Sequence, residues 1–412
     1  MFGEILIYLA TYIGLFAVFF FFLSIKPRLK KILPKFNEKN PPFITIIIPA
    51  YNEERGIEAT IKSALGVDYP RNKMEILVID DGSRDNTYKL ALKFKSKIVK
   101  VFHKENGGKG TAINFAIAKA RGEFIFTMDA DSIITPNAVK NQLAFFSNPK
   151  VMCVSPILAV YKPSGIIQRI QQIEYFLGVF LREVFTSLNA ANVTPGAFSA
   201  YRKSFFDRYG GFDEHNLTED LEIALRIQYN HFILENATNA IVYTETPRSF
   251  RALLIQRKRW YVGLLRNLSN YRKIFSREYG ALGMIVLPLA LLSILVSLVV
   301  AIYLISKAVL DIKREILLLK TINFDILSLI RFDTSSFERF IFSVSSNPLT
   351  LFTIILLLVS LSYMFFAKRR VKEHSSIIIG FPLFMFFYSF MYAFWWAVSI
   401  IYAIFNRSVK WR

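Results

Sequence analysis

The stretch Phe43-Ile44-Thr45-Ile46-Ile47-Ile48-Pro49-Ala50-Tyr51-Asn52-Glu53-Glu54 decides the fold class. Phe43 to Pro49 is an apolar run rich in Ile, entered through Pro41-Pro42 and closed at Asn52. A short apolar run bounded by turn residues reads as a strand buried on both faces. The signature returns at Ile76 to Asp80, Ile98 to Phe102 and Phe124 to Met128. Helical stretches lie between these runs: one starts near Glu54, one near Thr87 with Asp85 as a candidate cap, and one spans Lys109 to Arg121. Strand and helix in alternation predict an α/β domain on a mostly parallel sheet. Such sheets bind ligands beyond the carboxyl ends of their strands, so the polar residues there are the candidates for chemistry.

On either side of this domain the chain reads as membrane. Ile5 to Ile25 carries no charge and is long enough to cross a hydrocarbon core about 30 Å thick. It lacks the basic start and small-residue cleavage site of a secretory signal, which makes it a retained anchor. Uncharged runs recur at Ala281 to Ile305, Leu349 to Ala367 and Ile377 to Phe405. The expected organisation is an anchor over 1–25, a domain over 26–278 with a membrane-interface helix near 249–278, and about three transmembrane helices over 279–412.

Lys26, Arg28, Lys30, Lys31 and Lys35 follow the first span, and the positive-inside bias places them, and the domain, in the cytoplasm at the cell membrane. Arg266, Arg272, Lys273 and Arg277 before the second span agree, as do Lys368, Arg369, Arg370 and Lys372 after the third. Four full crossings would put Arg407, Lys410 and Arg412 outside, against their charge. Either one segment is re-entrant or interfacial, with Gly380 and Pro382 as break points, or part of Lys307 to Ser346 is buried.

Composition agrees with this division. At 53% hydrophobic residues, with 40 Phe, the chain is more apolar than a soluble domain. The formal charge of +20 gathers beside the apolar runs, where anionic headgroups attract it, so membrane lipids are the expected partner and nucleic acid is not. The single Cys153 forms no intramolecular disulfide and no thiolate metal site. His103, His215, His231 and His374 show no ligand spacing, so any metal is held by carboxylates.

The strand ends supply those carboxylates. Asp80-Asp81-Gly82-Ser83 follows one strand and Asp129-Ala130-Asp131 another. Paired acids with small residues between them suit Mg²⁺ or Mn²⁺, which neutralises a departing diphosphate. Asp after a strand also makes turns and caps, the preferred reading for Asp85. Gly107-Gly108-Lys109-Gly110-Thr111 lacks the spacing of a phosphate loop. It reads either as an anion site, with free amides at a helix start and the charge of Lys109, or as a tight turn. Thr218-Glu219-Asp220 opens a helix over Glu219 to Asn230, where the dipole favours acids whatever the function. Gln256-Arg257-Lys258-Arg259-Trp260 alone reads as a basic amphipathic helix on the membrane, with Trp260 at the interface.

Taken in order, these residues resemble the family-two glycosyltransferases, in the membrane-integrated branch of cellulose, hyaluronan and poly-N-acetylglucosamine synthases. Pro49 to Glu54 matches the first nucleotide loop of that family, and Asp80 to Ser83 with Asp85 and Thr87 matches the second. Asp129-Ala130-Asp131 matches its D-x-D motif, Pro195-Gly196-Ala197-Phe198 its acceptor-side loop, Thr218-Glu219-Asp220 its T-E-D motif and Gln256 to Trp260 its Q-x-x-R-W motif. Asn406 to Arg412 resembles a shortened form of its Trp-containing basic tail.

The resemblance implies a GT-A fold with Tyr51, Glu53, Asp80 and Asp81 around the nucleotide. Asp129 and Asp131 would hold metal and diphosphate, Lys109 would add charge to the donor site, and Asp220, beside Glu219, would be the general base. Gln256, Arg259 and Trp260 would roof the site. It also implies an inverting transfer from a nucleotide-diphosphate sugar to a growing β-linked polysaccharide. The alternatives are a single addition to a lipid or lipid-linked glycan, and a non-catalytic membrane scaffold. Retention of Asp129, Asp131, Asp220 and Arg259 weighs against the scaffold.

Overall fold

The computed structural model describes residues 2–26, 32–324, 334–371 and 377–405. Arg28, Lys30, Lys31, Lys372, His374 and Asn406 to Arg412 lie outside them. The Ile-rich run is strand β1 (Ile44–Ala50), and every residue of it is buried. β2 (Met74–Asp81), β3 (Val99–Lys104) and β4 (Phe124–Thr127) follow in the expected places. β1, β2 and β4 are filled on both faces. Ile44, Ile46 and Ile48 pack in one core with Ile76, Val78 and Phe126, while Ile47 packs in the other with Leu77, Ile79 and Ile125. Each such side chain buried contributes about 1.5–3 kcal/mol.

β5 (Ser132–Ile134), β6 (Val151–Val160), β7 (Ser199–Arg202) and β8 (Ile233–Thr244) complete an eight-stranded sheet in the order β3-β2-β1-β4-β7-β6-β8-β5. Its first four strands are parallel, but β7 runs antiparallel to both β4 and β6, so the sheet as a whole is mixed. That reversal matters for the site. Thr127 pairs with Ser199, so the residues just before β7 arrive at the edge from which β4 delivers Asp129. Parallel pairing of Ala50 with Asp80, and of Asp80 with His103, brings the loops after β1, β2 and β3 to the same edge.

Three helices are long and apolar enough to cross a membrane: Gly3–Ser24, Leu282–Thr321 and Pro348–Val371. A fourth candidate is a pair, Gly380–Tyr388 and Phe390–Ile404, bent by 44°. The bend falls after Tyr388 rather than at Gly380 or Pro382, and Gly380 instead sits where an added Cβ would meet Arg169 O at 3.1 Å. The second span is 40 residues, about 60 Å of helix at ~1.5 Å per residue, and continues well past Ile305. Residues 307–318 are exposed, so that stretch is not taken into the protein interior.

The helix Ile166–Ser187 joins the candidate spans to the sheet domain. It packs Ile173 and Phe176 between sheet residues Ile157 and Ala159 and span residues Met364, Ala367 and Val371. Ser187 Oγ donates to Ser24 O at the end of the first span, and Arg370 Nε lies 3.3 Å from Glu183 Oε1 at the end of the third. The second span begins against the helix Glu219–Tyr229, with Leu282 and Val286 in one cluster with Leu221 and Leu225. Thus the end of span one, the start of span two and the end of span three all meet the domain.

Candidate active site

Lys109 occupies the centre of the edge described above. Its Nζ lies 2.7 Å from Asp129 Oδ1 and 3.0 Å from Glu219 Oε1, joining the loop after β4 to the start of the helix Glu219–Tyr229. Burial opposes its charge, but Asp129, Glu219 and Asp220 outweigh burial and hold the ammonium well above its ordinary range. Gly196 allows this approach, because a Cβ there would fall 2.4 Å from Lys109 Nζ and 3.3 Å from both Asp129 oxygens. The expected anion site at Gly107 and Gly108 is already filled. Their amides donate to Asp81 at 3.1 and 2.8 Å, and Lys104 Nζ lies 2.5 Å from the same carboxylate.

Asp80 and Asp81 are therefore buried beneath the edge rather than open on it. Asp80 is 0% exposed, with His103 Nδ1 2.6 Å from Oδ2. Gly82, at φ +73°, turns the chain tightly against Asn106. The loops after β1 and β2 are laced together: Asn52 N donates to Ser83 Oγ (2.9 Å), Glu53 N to Thr87 Oγ1 (2.7 Å) and Glu54 N to Asp85 Oδ2 (3.2 Å). Asp85 also accepts from Thr87 N and Oγ1, which holds its carboxyl below the ordinary range despite some burial. It thus serves the turn, as expected. Tyr51 remains 36% exposed beside these loops.

Asp131 lies in an acidic surrounding. Burial, then Asp129 and Glu53, push its carboxyl up to about 7. Among the described residues no group of three His, Cys, Asp or Glu side chains is arranged to hold a metal. Two neighbouring carboxylates that repel each other nevertheless suit a divalent cation. Asp220 is pushed up to about 6 by burial and Glu219, against the opposing charges of Lys109 and Arg259. Its main-chain carbonyl accepts from Thr194 Oγ1 at 2.6 Å, which ties it to the loop leading into β7.

The helix expected at the membrane interface, called the interface helix below, is Phe250–Asn270. Arg259 Nη1 donates to Leu217 O at 3.2 Å, and Asn267 Nδ2 donates to Thr218 Oγ1 at 3.0 Å. Gly263 presses on Thr218 so closely that a Cβ would fall 2.3 Å from its Oγ1. Gln256 Oε1 is buried without a hydrogen-bond partner among the described residues. The helix thereby lies over the acidic end of the site.

Comparison with known proteins matches residues 45–210 to the glycosyl transferase family 2 model. These residues form a family-two glycosyltransferase domain. Poly-β-1,6-N-acetyl-D-glucosamine synthases resemble the chain over a longer stretch. That of Staphylococcus epidermidis is 29% identical over 264 residues, 62% of this chain and 63% of the relative. That of Staphylococcus aureus strain COL is 31% identical over 250 residues, 60% of each. The matched stretch thus spans less than two thirds of these curated relatives. A mannosyltransferase from Pyrobaculum calidifontis, solved with GDP-Man and Mn²⁺, superposes with a TM-score of 0.61 at 19% identity, covering 91% of this chain and 100% of that one. The fold is of the GT-A type.

The family-two domain as matched ends before Thr218, so Glu219, Asp220 and Arg259 join the site through tertiary contact. The geometry gathers Glu53, Lys109, Asp129, Asp131, Glu219, Asp220 and Arg259, and leaves Asp80 and Asp81 buried on β2. Sequence reasoning missed the clamp of Gly263 and Asn267 on Thr218. A glycine in the middle of a helix costs about 1 kcal/mol against Ala, and that is the signal which marks close approach there.

Proposed function

We propose that this chain is a metal-dependent, inverting glycosyltransferase that moves a sugar from a nucleotide-diphosphate donor to a growing β-linked polysaccharide at the membrane. The observation that carries the reading is the Lys109 ammonium set between Asp129 and Glu219, with Asp220 beside them. Tyr51 and the laced loops border the nucleotide side, and Asp80 and Asp81 support it from below. Asp220 accepts the proton of the acceptor hydroxyl as that oxygen attacks the anomeric carbon. A single displacement inverts the centre, so an α-linked donor yields a β-linked product. Arg259 and Lys109 offset charge developing on the leaving diphosphate. Asp129 and Asp131 would hold Mg²⁺ or Mn²⁺, which supplies Lewis-acid neutralisation of the diphosphate. Gln256 and Trp260 face the acceptor.

The polysaccharide synthases among the relatives make N-acetylglucosamine the first sugar to test. The basic clusters at Arg266 to Arg277 and Lys368 to Arg370 stand where spans meet the domain, which supports a cytoplasmic domain by the positive-inside bias. The domain limits we adopt are an anchor over 1–25, the GT-A domain over 26–278 and the C-terminal membrane helices over 279–412. One observation favours the second reading, single addition to a lipid-linked acceptor. A cavity of about 500 Å³ between the first two spans is lined mostly by apolar residues, among them Ala10, Gly14, Ala17 and Leu289, and suits a hydrocarbon chain.

The test is nucleotide diphosphate release by detergent-purified protein across uridine- and guanosine-diphosphate sugars, with Mg²⁺ or Mn²⁺, beside Asp220→Asn. Metal-dependent turnover with one donor, lost in the variant, supports the reading, and product size separates polymer from single addition. Silence across the panel with folded protein and lipid acceptors present would return the chain to the scaffold class.

A further inference from the structure

The interface helix carries a buried arginine that the transfer chemistry leaves unused. Arg257 is 1% exposed, and its Nη2 lies 2.6 Å from Glu174 Oε2 on the helix Ile166–Ser187. Its guanidinium carbon is 4.2 Å from the Trp260 ring centroid and 5.9 Å from that of Trp395 on the bent membrane pair. Two other elements, and a ring of its own helix, therefore close on one planar cation. The bent pair docks along the same helix through rings: Tyr261 stacks on Trp396 at 4.2 Å and 4°, and Phe250 lies near Trp395. Lys258 Nζ sits 4.1 Å from the Tyr402 ring.

A buried guanidinium must keep its carboxylate, because an unpaired charge there is costly. Glu174 thus fixes where Arg257 lies, and the guanidinium plane fixes the Trp260 ring that rests on it. We propose that Arg257, held by Glu174, is a positioning residue that sets Trp260 for the acceptor and couples the bent membrane pair to the acceptor side of the site. This rests on the transferase reading above. Donor binding is separate, because Lys109 pairs with Asp129 and Glu219 whereas Arg257 pairs with Glu174 on another helix.

The experiment uses the full chain in lipid nanodiscs, with a nucleotide-activated N-acetylglucosamine as donor and N-acetylglucosamine oligomers of defined length as the acceptor probe. Arg257→Lys keeps the charge but loses the planar fork. It should raise the acceptor KM about tenfold and leave the donor KM and acceptor-free nucleotide release within about twofold. Glu174→Gln should show the same split, with part recovered by Glu174→Asp. Trp395→Phe, which leaves the ion pair intact, should give a smaller acceptor-only defect and keeps the test open if an Arg257 variant fails to fold. Equal changes for donor and acceptor, a fall in kcat with both KM values unchanged, or no change would overturn the proposal. Wild-type protein that releases no nucleotide from any donor would instead remove the transferase reading, and this inference with it.

Discussion

Lys109 Nζ lies 2.7 Å from Asp129 Oδ1, and that contact ties the helix start after β3 to the end of β4. With Glu219 at 3.0 Å on its other side, the ammonium balances acids that would otherwise repel. Lys109→Met should therefore lower kcat by about 100-fold or more, as removal of a charge-stabilising group does. It should also move the acidic limb of the pH–rate profile upward, because Lys109 lowers the Asp220 pKa and its loss removes that influence. Steady-state nucleotide release from pH 5 to 9 reads both effects.

Asp220 should govern that profile in the wild type. Its carboxyl is pushed up to about 6, and only the ionised form accepts a proton. Activity should accordingly rise as pH increases through about 6 and level off above it. Asp220→Asn should lose about 10²–10⁴-fold in kcat and the acidic limb with it, while binding of nucleotide diphosphate, measured by calorimetry, persists.

Chelation should silence turnover, and added Mg²⁺ or Mn²⁺ should restore it. Asp131→Asn should need a higher metal concentration for half-maximal rate, because one of the two carboxylates would then be a neutral amide. A titration of rate against metal concentration reads the shift, and an unchanged midpoint would take Asp131 out of the metal site.

Gly263 sets the height of the interface helix above Thr218. In Gly263→Val the new side chain must displace Thr218, since even a Cβ falls 2.6 Å from its Cγ2. A displacement near 1 Å is enough to cost about 100-fold in rate. Transfer should fall by that order while nucleotide binding persists, and the overpacking should also lower stability by about 1–3 kcal/mol, read as a drop in melting temperature.

Glu75 offers a control remote from catalysis. It is fully buried on β2 and accepts from Thr45 Oγ1 (3.0 Å), Lys100 Nζ (2.9 Å) and Arg121 N and Nε (2.8 and 3.0 Å). Burial pushes its carboxyl up, but these partners outweigh burial and hold it below the ordinary range. The stability it adds is thus present above the unfolded value of about 4.3 and is lost as pH falls through the lower folded value. Glu75→Gln should cost about 1–2 kcal/mol near neutral pH, a modest figure because Lys100 and Arg121 are partly solvated. Thermal melts at several pH values should show the difference narrowing in acid.

The strands were legible because β1, β2 and β4 are filled on both faces, and burial on both faces removes the polar alternation that would blur a short strand. Asp129 and Asp131 were legible for a related reason: a carboxylate at the end of a buried strand stands out against an apolar run. Asp80 has the same sequence setting, yet it lies beneath His103 with 0% exposure. Whether an acid at a strand end is open or covered depends on the neighbouring strand. For Asp81 the neighbour is the loop after β3, whose Gly107 and Gly108 amides take its carboxylate.

The membrane runs were legible by length alone, but their seating was not. Nothing local says that Ser187 reaches Ser24, or that Glu183 meets Arg370. The helix Ile166–Ser187 makes both contacts and also holds Arg257 through Glu174.

The sequence by itself determined the α/β class, the apolar spans and the acidic strand ends, because each follows from side chains near one another along the chain. Tertiary structure alone decided that Lys109 bridges Asp129 and Glu219, that Gly196 makes room for it, and that Gly263 seats the interface helix on Thr218. The antiparallel turn of β7 returns residues 195–198 to the edge where β4 ends. Packing of the second span against the helix Glu219–Tyr229 anchors the acidic end of the site beside the membrane. Those contacts join residues 20 to 110 positions apart, and their energy exists only once the sheet has closed and the helices have packed on it.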